Sequence, residues 1–258
     1  MGLPLRPPVA VCVLLLLVCA AGSAADMTSG LTSETNGTSQ QDSIARDCSD
    51  LPRGTTSGVY MIMVDLQTPT PAYCDMDDGE GWTVFQRRAD ITPRQDFFQD
   101  WEAYKWGLGS LEGEFWWGLH YLWQLTSQNR IYELRVDLWD WDEQTRYATY
   151  QKFTIASEAD GYRLDFVNSS YAGDAGDSLS YHNGMKFSTF DRDNDATSGG
   201  CSSYNNGAWW YKNCQYSNLN GLYIPGSTDT KRSVRWAHWR DQYSLNATTM
   251  KIRPTNTL

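Results

Sequence analysis

Asp191, Asp193 and Asp195 alternate within FSTFDRDNDATSGGC, residues 187–201, ahead of Thr197, Gly199 and Cys201. Carboxylates two residues apart in a loop suit a hard cation, because both side chains can point the same way while later backbone carbonyls fill further positions. An EF-hand fails at two places: Ala196 stands where the tight turn needs glycine, and Ser202 where a bidentate glutamate is needed. Two readings remain: a calcium loop of another kind, completed by the carbonyls of Thr197 and Gly199 and by water, and a solvated acidic turn.

Catalytic chemistry has weaker support. The three histidines, His120, His182 and His238, show no zinc-ligand spacing and flank no nucleophile elbow. Asp137, Asp140, Asp142 and Glu143 in DLWDWDE could supply a glycosidase pair, but acids on the outer face of a strand are ordinarily just solvated. The chain reads as a non-enzyme.

The elements that would position the acidic loop are mixed. Phe97, Trp101, Tyr104 and Leu108 recur at helical spacing, as do Phe115, Leu119 and Leu122, which predicts two short amphipathic helices. Tyr132, Leu134, Val136 and Leu138 alternate with Glu133, Arg135 and Asp137, the pattern of a half-buried strand. YATYQKFTI and MKFSTF also look strand-like, whereas residues 191–206 follow neither period. The expectation is an α+β domain with a central sheet and a loop-dominated carboxyl-terminal third.

Residues 1–25 read as a secretory signal peptide: Arg6 precedes an apolar run from Val9 to Ala21, too short to span a bilayer. Residues 26–46, rich in Ser, Thr, Gln and Gly, read as a flexible polar linker, and 47–258 as one domain. Once the leader is removed, Cys48, Cys74, Cys201 and Cys214 remain, an even count that suits two disulfides in an oxidising compartment. Of the three pairings, the sequential one closes short local loops, and no cysteine is left for an interchain bridge. Asn36, Asn168 and Asn246 sit in glycosylation sequons. The expected localisation is extracellular.

A net charge of −10 argues against a nucleic-acid partner. Its distribution is uneven: Glu133 to Asp195 holds 13 acidic against 6 basic residues, and Ser202 to the end 2 against 7. The first segment can hold a cation and the second can face an anion.

Six ordered motifs then carry a resemblance: GWTVFQRR (81–88), DFFQDWEAYKWGLGSLEGEFWWGL (96–119), FDRDND (190–195), GAWWYKNC (207–214), SNLNGLY (217–223) and MKIRP (250–254). Together the chain resembles a fibrinogen-related domain, in particular of the ficolin and techylectin type of innate-immune lectins. The resemblance implies three lobes, an amino-terminal one closed by Cys48–Cys74, a central one around a twisted antiparallel sheet, and a carboxyl-terminal recognition lobe holding Cys201–Cys214. It also implies Ca²⁺ at Asp193, Asp195, Thr197 and Gly199, with Asp191 outside the shell. The implied ligand pocket lies near Asn205, Asn213, Cys214, Gln215, Thr230 and Lys231, with a cis bond from Asn213 to Cys214.

In acetyl-recognising relatives a histidine follows that second cysteine and tyrosines wall the pocket; here Gln215, Asn205 and Thr230 or Lys231 take those places. Lys231, Arg232 and Arg235 could instead form a cationic rim for acidic sugars, or be scattered surface charges. Trp209 and Trp210 are expected to pack the lobe rather than stack on sugar. The implied function is a calcium-binding lectin for acetylated or acidic glycans, working as a noncovalent oligomer for avidity. The alternative is a module that binds a peptide or glycoprotein partner.

Overall fold

The structure, a computed structural model, describes residues 45–65, 67–226 and 231–255. The expected leader, the expected linker up to residue 44, Asn36 and Thr230 lie outside the described residues.

Apolar alternation builds a large antiparallel sheet. Its strands in chain order are β1 (Gly58–Ile62), β2 (Thr70–Asp75), β3 (Trp82–Arg88), β4 (Leu108–Gly109), β5 (Phe115–Trp116), β6 (Tyr132–Trp139), β7 (Thr145–Ile155), β8 (Leu164–Asp165), β9 (Ala172–Gly173) and β12 (Ala247–Pro254). A separate two-stranded pair joins β10 (Ser217–Asn218) to β11 (Arg235–Trp236). The main path runs β1-β2-β3-β12-β6-β7-β8, so the last strand lies in the middle of the sheet. There Met250 faces Val136 and Ile252 faces Leu134, while Thr248 faces Arg88 on the other side. The inward set of β6, Tyr132, Leu134, Val136 and Leu138, is fully buried, as its alternation predicts.

The helices are shorter than the periodicity suggests. Helix α1 is Trp101–Trp106, α2 is Leu119–Thr126 and α3 is Cys201–Asn205. Phe97 precedes α1, Leu108 falls in β4 and Phe115 in β5. The interruptions are two glycines with positive φ: Gly107 (104°) ends α1 and Gly118 (120°) precedes α2. A Cβ on Gly107 would lie 2.7 Å from the Trp117 carbonyl, so only glycine lets the two segments approach there. MKFSTF forms no named strand; Ser188 and Thr189 make isolated bridges to Trp209 and Arg192, because the turn at 190–195 diverts the chain.

One aromatic core runs from the sheet into the carboxyl-terminal loops. Trp116 packs within 5.6 Å of Phe187 and 5.9 Å of Trp210 between ring centroids. Trp209 and Trp210 are both fully buried, which makes them packing residues. An ion pair sits inside the fold: Arg88 on β3 meets Glu114 at 3.1 Å with both side chains nearly inaccessible. The same guanidinium donates to the carbonyls of Leu219 and Gly221, and Glu114 accepts from the backbone of Ala89 and Gln95. This network ties the sheet to the loops that carry the site.

The two disulfides pair sequentially. Cys48 joins Cys74, fastening the amino-terminal turn to β2, and Cys201 joins Cys214, fastening α3 to the following loop.

Candidate functional site

The acidic loop is built by its own side chains and by neighbours far along the chain. Asp191 turns away from the other two: its carboxylate accepts from the Trp101 backbone at the start of α1, 3.0 Å, and from the Thr189 hydroxyl. Asn194 donates to the Phe187 carbonyl at 2.7 Å, and the Ala196 backbone donates to the Lys212 carbonyl at 3.0 Å. The loop is thereby pinned to α1 on one side and to the 207–214 segment on the other.

Asp193 and Asp195 have different environments. Asp195 is half-buried; its carboxylate accepts from the Thr197 backbone (2.7 Å), the Thr197 hydroxyl (2.9 Å) and the Cys201 backbone (2.5 Å), so it also closes the turn into α3. Asp193 is exposed. One of its oxygens accepts from the Asp195 backbone at 3.1 Å, and the other has no donor among the described residues. The carbonyls of Thr197 and Gly199 are likewise without donors there. Carboxylates and backbone carbonyls are hard oxygen donors of the kind calcium takes, so the chemistry of these residues fits the ion.

The other expected pocket residues divide into buried and exposed. Asn205 is almost fully buried, donating to the Cys201 carbonyl at 2.8 Å and accepting from Gln215. Gln215 also donates to the Lys231 carbonyl and accepts from Arg235 at 2.7 Å. Arg235 is itself buried, donating to the Asp241 carbonyl at 2.7 Å and pairing with the Asp241 carboxylate. Asn205, Gln215 and Arg235 therefore form an internal polar chain that is satisfied without ligand. This corrects the expected rim: Arg235 belongs to the interior, and of the three cations Lys231 and Arg232 remain exposed.

The Asn213–Cys214 bond is trans, and the only cis peptide among the described residues is Thr92–Pro93. The expected cis bond is thus absent; a non-proline cis peptide costs about 3 to 4 kcal/mol unless its surroundings impose it. Asn213 is exposed and accepts the Tyr181 hydroxyl on its carbonyl, 2.9 Å.

Sequence reasoning missed several side chains at this surface. Tyr204, on α3, is 59% exposed, and the Arg232 guanidinium lies 4.9 Å from its ring centre. Tyr216, also exposed, packs 4.6 Å from Tyr181, and the Lys212 ammonium stands 5.1 Å from the Tyr181 ring. The available signal was a tyrosine near each cysteine of the second bridge, but which ones face outward depends on the loop path. Tyr204, Arg232 and Lys231 offer stacking surface and positive charge near α3, while Asn213 with its partner Tyr181 and neighbour Lys212 borders Cys214.

Two of the three histidines are engaged in internal hydrogen bonds. His182 is fully buried; its Nδ1 bonds the Trp210 carbonyl at 2.8 Å and its Nε2 accepts from the Tyr216 and Ser217 backbone, a neutral tautomer locked at both ends. Burial pushes its pKa down to about 4. His238 pairs with the buried Ser178 at 2.9 Å. Among the acids near 137–143, Asp137 is held by Arg135 and Lys251, and Asp140 and Asp142 by Arg240. Two open concavities of about 1150 and 700 Å³ lie along the β2–β3 turn and the β6–β7 face, away from the acidic loop. Two of the cations lining them are paired locally, Lys251 with Asp75 and Arg253 with Glu133.

Residues 44–255 match the model of the family described as fibrinogen beta and gamma chains, C-terminal globular domain. The chain belongs to that family. Fibrinogen C domain-containing protein 1 of Xenopus tropicalis is 45% identical over 220 residues, covering 81% of this chain and 47% of the relative, so the chain spans about half of that protein. The fibrinogen-like globe domain of human ANGPTL6 superposes with a TM-score of 0.76 at 40% identity, covering 83% of this chain and 97% of that one. The fibrin D-dimer of lamprey, complexed with the peptide ligand Gly-His-Arg-Pro-amide, superposes with a TM-score of 0.75 at 34% identity, covering 83% of this chain and 75% of that one. The fibrinogen-like fold and family hold, while these relatives do not single out the ficolin and techylectin branch. Such a domain is a recognition module. Among the described residues no helix is long and apolar enough to cross a membrane.

Proposed function

We propose that this fibrinogen-like domain is a secreted, calcium-binding lectin that recognises carbohydrate at the surface around the Cys201–Cys214 bridge. Asp193 and Asp195, with the Thr197 and Gly199 carbonyls, would hold Ca²⁺. The bound ion supplies positive charge and ordering to a loop whose small polar residues bury little apolar area. The observation that carries the reading is that an Asp193 oxygen and the carbonyls of Thr197 and Gly199, all in one loop, have no donor among the described residues.

The ligand preference follows from which side chains remain accessible. Asn205 and Gln215 are occupied in the internal chain, leaving Lys231, Arg232 and Tyr204 to meet ligand near α3. A cationic edge with a flat phenol ring suits an acidic sugar better than an acetyl group, which would need an apolar slot. A role in innate recognition of microbial or cell surfaces, glycosylation at Asn36, Asn168 and Asn246, and noncovalent oligomerisation for avidity belong to the same reading.

A glycan array run with calcium and with chelator tests it. The expected result is calcium-dependent retention of uronic-acid or sialylated glycans, at least about tenfold weaker in Arg232→Ala, the scale of a lost charged contact. Retention that ignores chelator, or no preference for acidic over neutral ligands, rejects it.

The second reading is a peptide-binding module, favoured by the peptide ligand carried by the lamprey fibrin D-dimer. Retention on a protein partner alone, with a blank array, would select it.

A further inference from the structure

The two ends of the main sheet are finished differently. At one end stands β8, Leu164–Asp165, a very short strand with an exposed aspartate, the kind of edge that resists pairing with another strand. At the other end stands β1, which among the described residues pairs with β2 alone. Its sequence, GVYMI, includes no charge and no proline, and its register with β2 runs without a bulge from Gly58 opposite Cys74 to Ile62 opposite Thr70. The usual features that blunt an edge are missing from it.

Pro71 shows which backbone groups of β1 are open. Residues directly opposite one another in an antiparallel pair alternate between exchanging both ladder bonds and exchanging none. Pro71, opposite Met61, has no N–H, and its carbonyl accepts from the Trp117 indole at 2.8 Å. Met61 and Pro71 are therefore a non-bonded pair, and so are Val59 and Tyr73, two residues along. The N–H and C=O groups of Val59 and Met61 point away from β2, along the open edge. Their side chains share one face of the sheet and are 39% and 51% exposed. Beside them on that face lie the exposed Pro71 and the half-buried Tyr73, whose ring sits 3.9 Å from the Arg87 guanidinium. Farther in, charges pair with one another, Lys251 with Asp75 and Asp137, and Arg253 with Glu133.

Charge and symmetry select what covers this edge. The chain carries a net charge of −10, so two copies repel over much of their surface, and an uncharged edge is where they can meet. An unrelated strand finds no charge in β1 to fix its register, whereas the edge matches itself. Val59 and Met61 flank Tyr60, so a second β1 turned about a twofold axis at Tyr60 runs antiparallel and sets Val59 of each copy opposite Met61 of the other. Each such pair exchanges its outward N–H and C=O groups in both directions and lays two apolar side chains together. We propose that β1 is a homodimer contact at which the sheets of two copies join edge to edge into one continuous sheet. An edge of 5 residues buries far less than the roughly 1,200 Å² of a stable interface. The pair is accordingly weak, with a dissociation constant on the order of 100 μM. Such a contact acts when copies crowd on a ligand-bearing surface, where it adds to avidity. It needs neither calcium nor a particular ligand.

Sedimentation velocity of the full chain in chelator, from about 1 to about 500 μM so as to bracket that constant, tests this. A monomer–dimer equilibrium is expected. Amide-resolved hydrogen exchange at the two extremes should show the Val59 and Met61 amides open in the dilute sample and protected in the concentrated one, with Tyr60 unchanged because its N–H faces β2. Met61→Lys places like charges across the contact at an exposed position and should weaken association at least about tenfold. Val59→Pro should do the same, since it removes an outward donor and no bond to β2. Val167→Lys, 41% exposed and close in sequence to β8, should associate like wild type. Thermal melts establish that each variant is folded, and if Val59→Pro is not, Met61→Lys carries the comparison. A chain that stays monomeric throughout, or a folded Met61→Lys that associates as well as wild type, rejects the contact. Protection of Val59 and Met61 already in the dilute sample would assign the edge to another segment of the same chain and rejects it too. None of these outcomes bears on the glycan array, which decides the ligand separately.

Discussion

Asp193 and Asp195 look equivalent in the sequence and are not equivalent in space. Asp195 has a structural task apart from any ion, because it accepts from Thr197 and from the Cys201 backbone. Asp195→Ala should therefore cost about 1 to 2 kcal/mol of stability even in chelator, the usual range for a lost turn or cap interaction. Asp193→Asn should leave the melting temperature in chelator unchanged and weaken calcium binding measured by calorimetry. Equal losses in chelator from both substitutions would contradict this division. His182 supplies a separate prediction. Its folded pKa of about 4 lies below the ordinary 6.5, so the unfolded chain binds the extra proton first. The associated stability is complete above about pH 6.5 and declines as pH falls toward 4, by up to about 3 kcal/mol. Denaturant titrations across that window should show the decline, and His182→Gln should flatten it.

At the level of elements, glycines set the lengths of the helices. The pattern from Phe97 to Leu122 is helical in spacing, but Gly107 and Gly118 impose turns and let β4 and β5 pair between the two helices. Gly107→Ala would place a Cβ 2.7 Å from the Trp117 carbonyl at a φ that L-residues rarely adopt. A destabilisation of at least about 1 to 3 kcal/mol is expected in equilibrium unfolding, the scale of enforced backbone strain. A comparable Gly79→Ala variant, also at positive φ but with no atoms nearby, should cost less, because only the conformational part applies. The β6 alternation, by contrast, was legible directly, since a strand buried on one face needs no long-range information to choose its inward side.

Across the whole molecule, the recognition loops depend on the sheet for their position. Arg88 and Glu114 are buried together, and the guanidinium reaches the carbonyls of Leu219 and Gly221. Removing one partner strands a charge, so Glu114→Ala should destabilise by about 3 to 5 kcal/mol. Because the loss falls at the junction of sheet and loops, hydrogen exchange in the 207–222 segment should rise more than exchange in β6. Uniform loosening would show that the pair does not anchor the loops. The central place of β12 adds a second dependence: the strand that completes the sheet is the last in the chain, so the fold relies on pairing across nearly its full length.

The family, the two bridges, the inward face of β6 and the acidic loop could all be read from residue order, because each is written in local spacing or in a run of adjacent motifs. The fates of Asn205, Gln215 and Arg235 could not. They are separated by up to 30 positions and become an internal chain only when α3, the segment around Gln215 and β11 converge. The same holds for Trp106 and α2, where helical periodicity told which residues turn inward but not that the half-buried His120 and Tyr121 would meet Trp106 from α1. Spacing along the chain encodes which way a side chain points from its own element; what it then meets is settled by packing between distant segments.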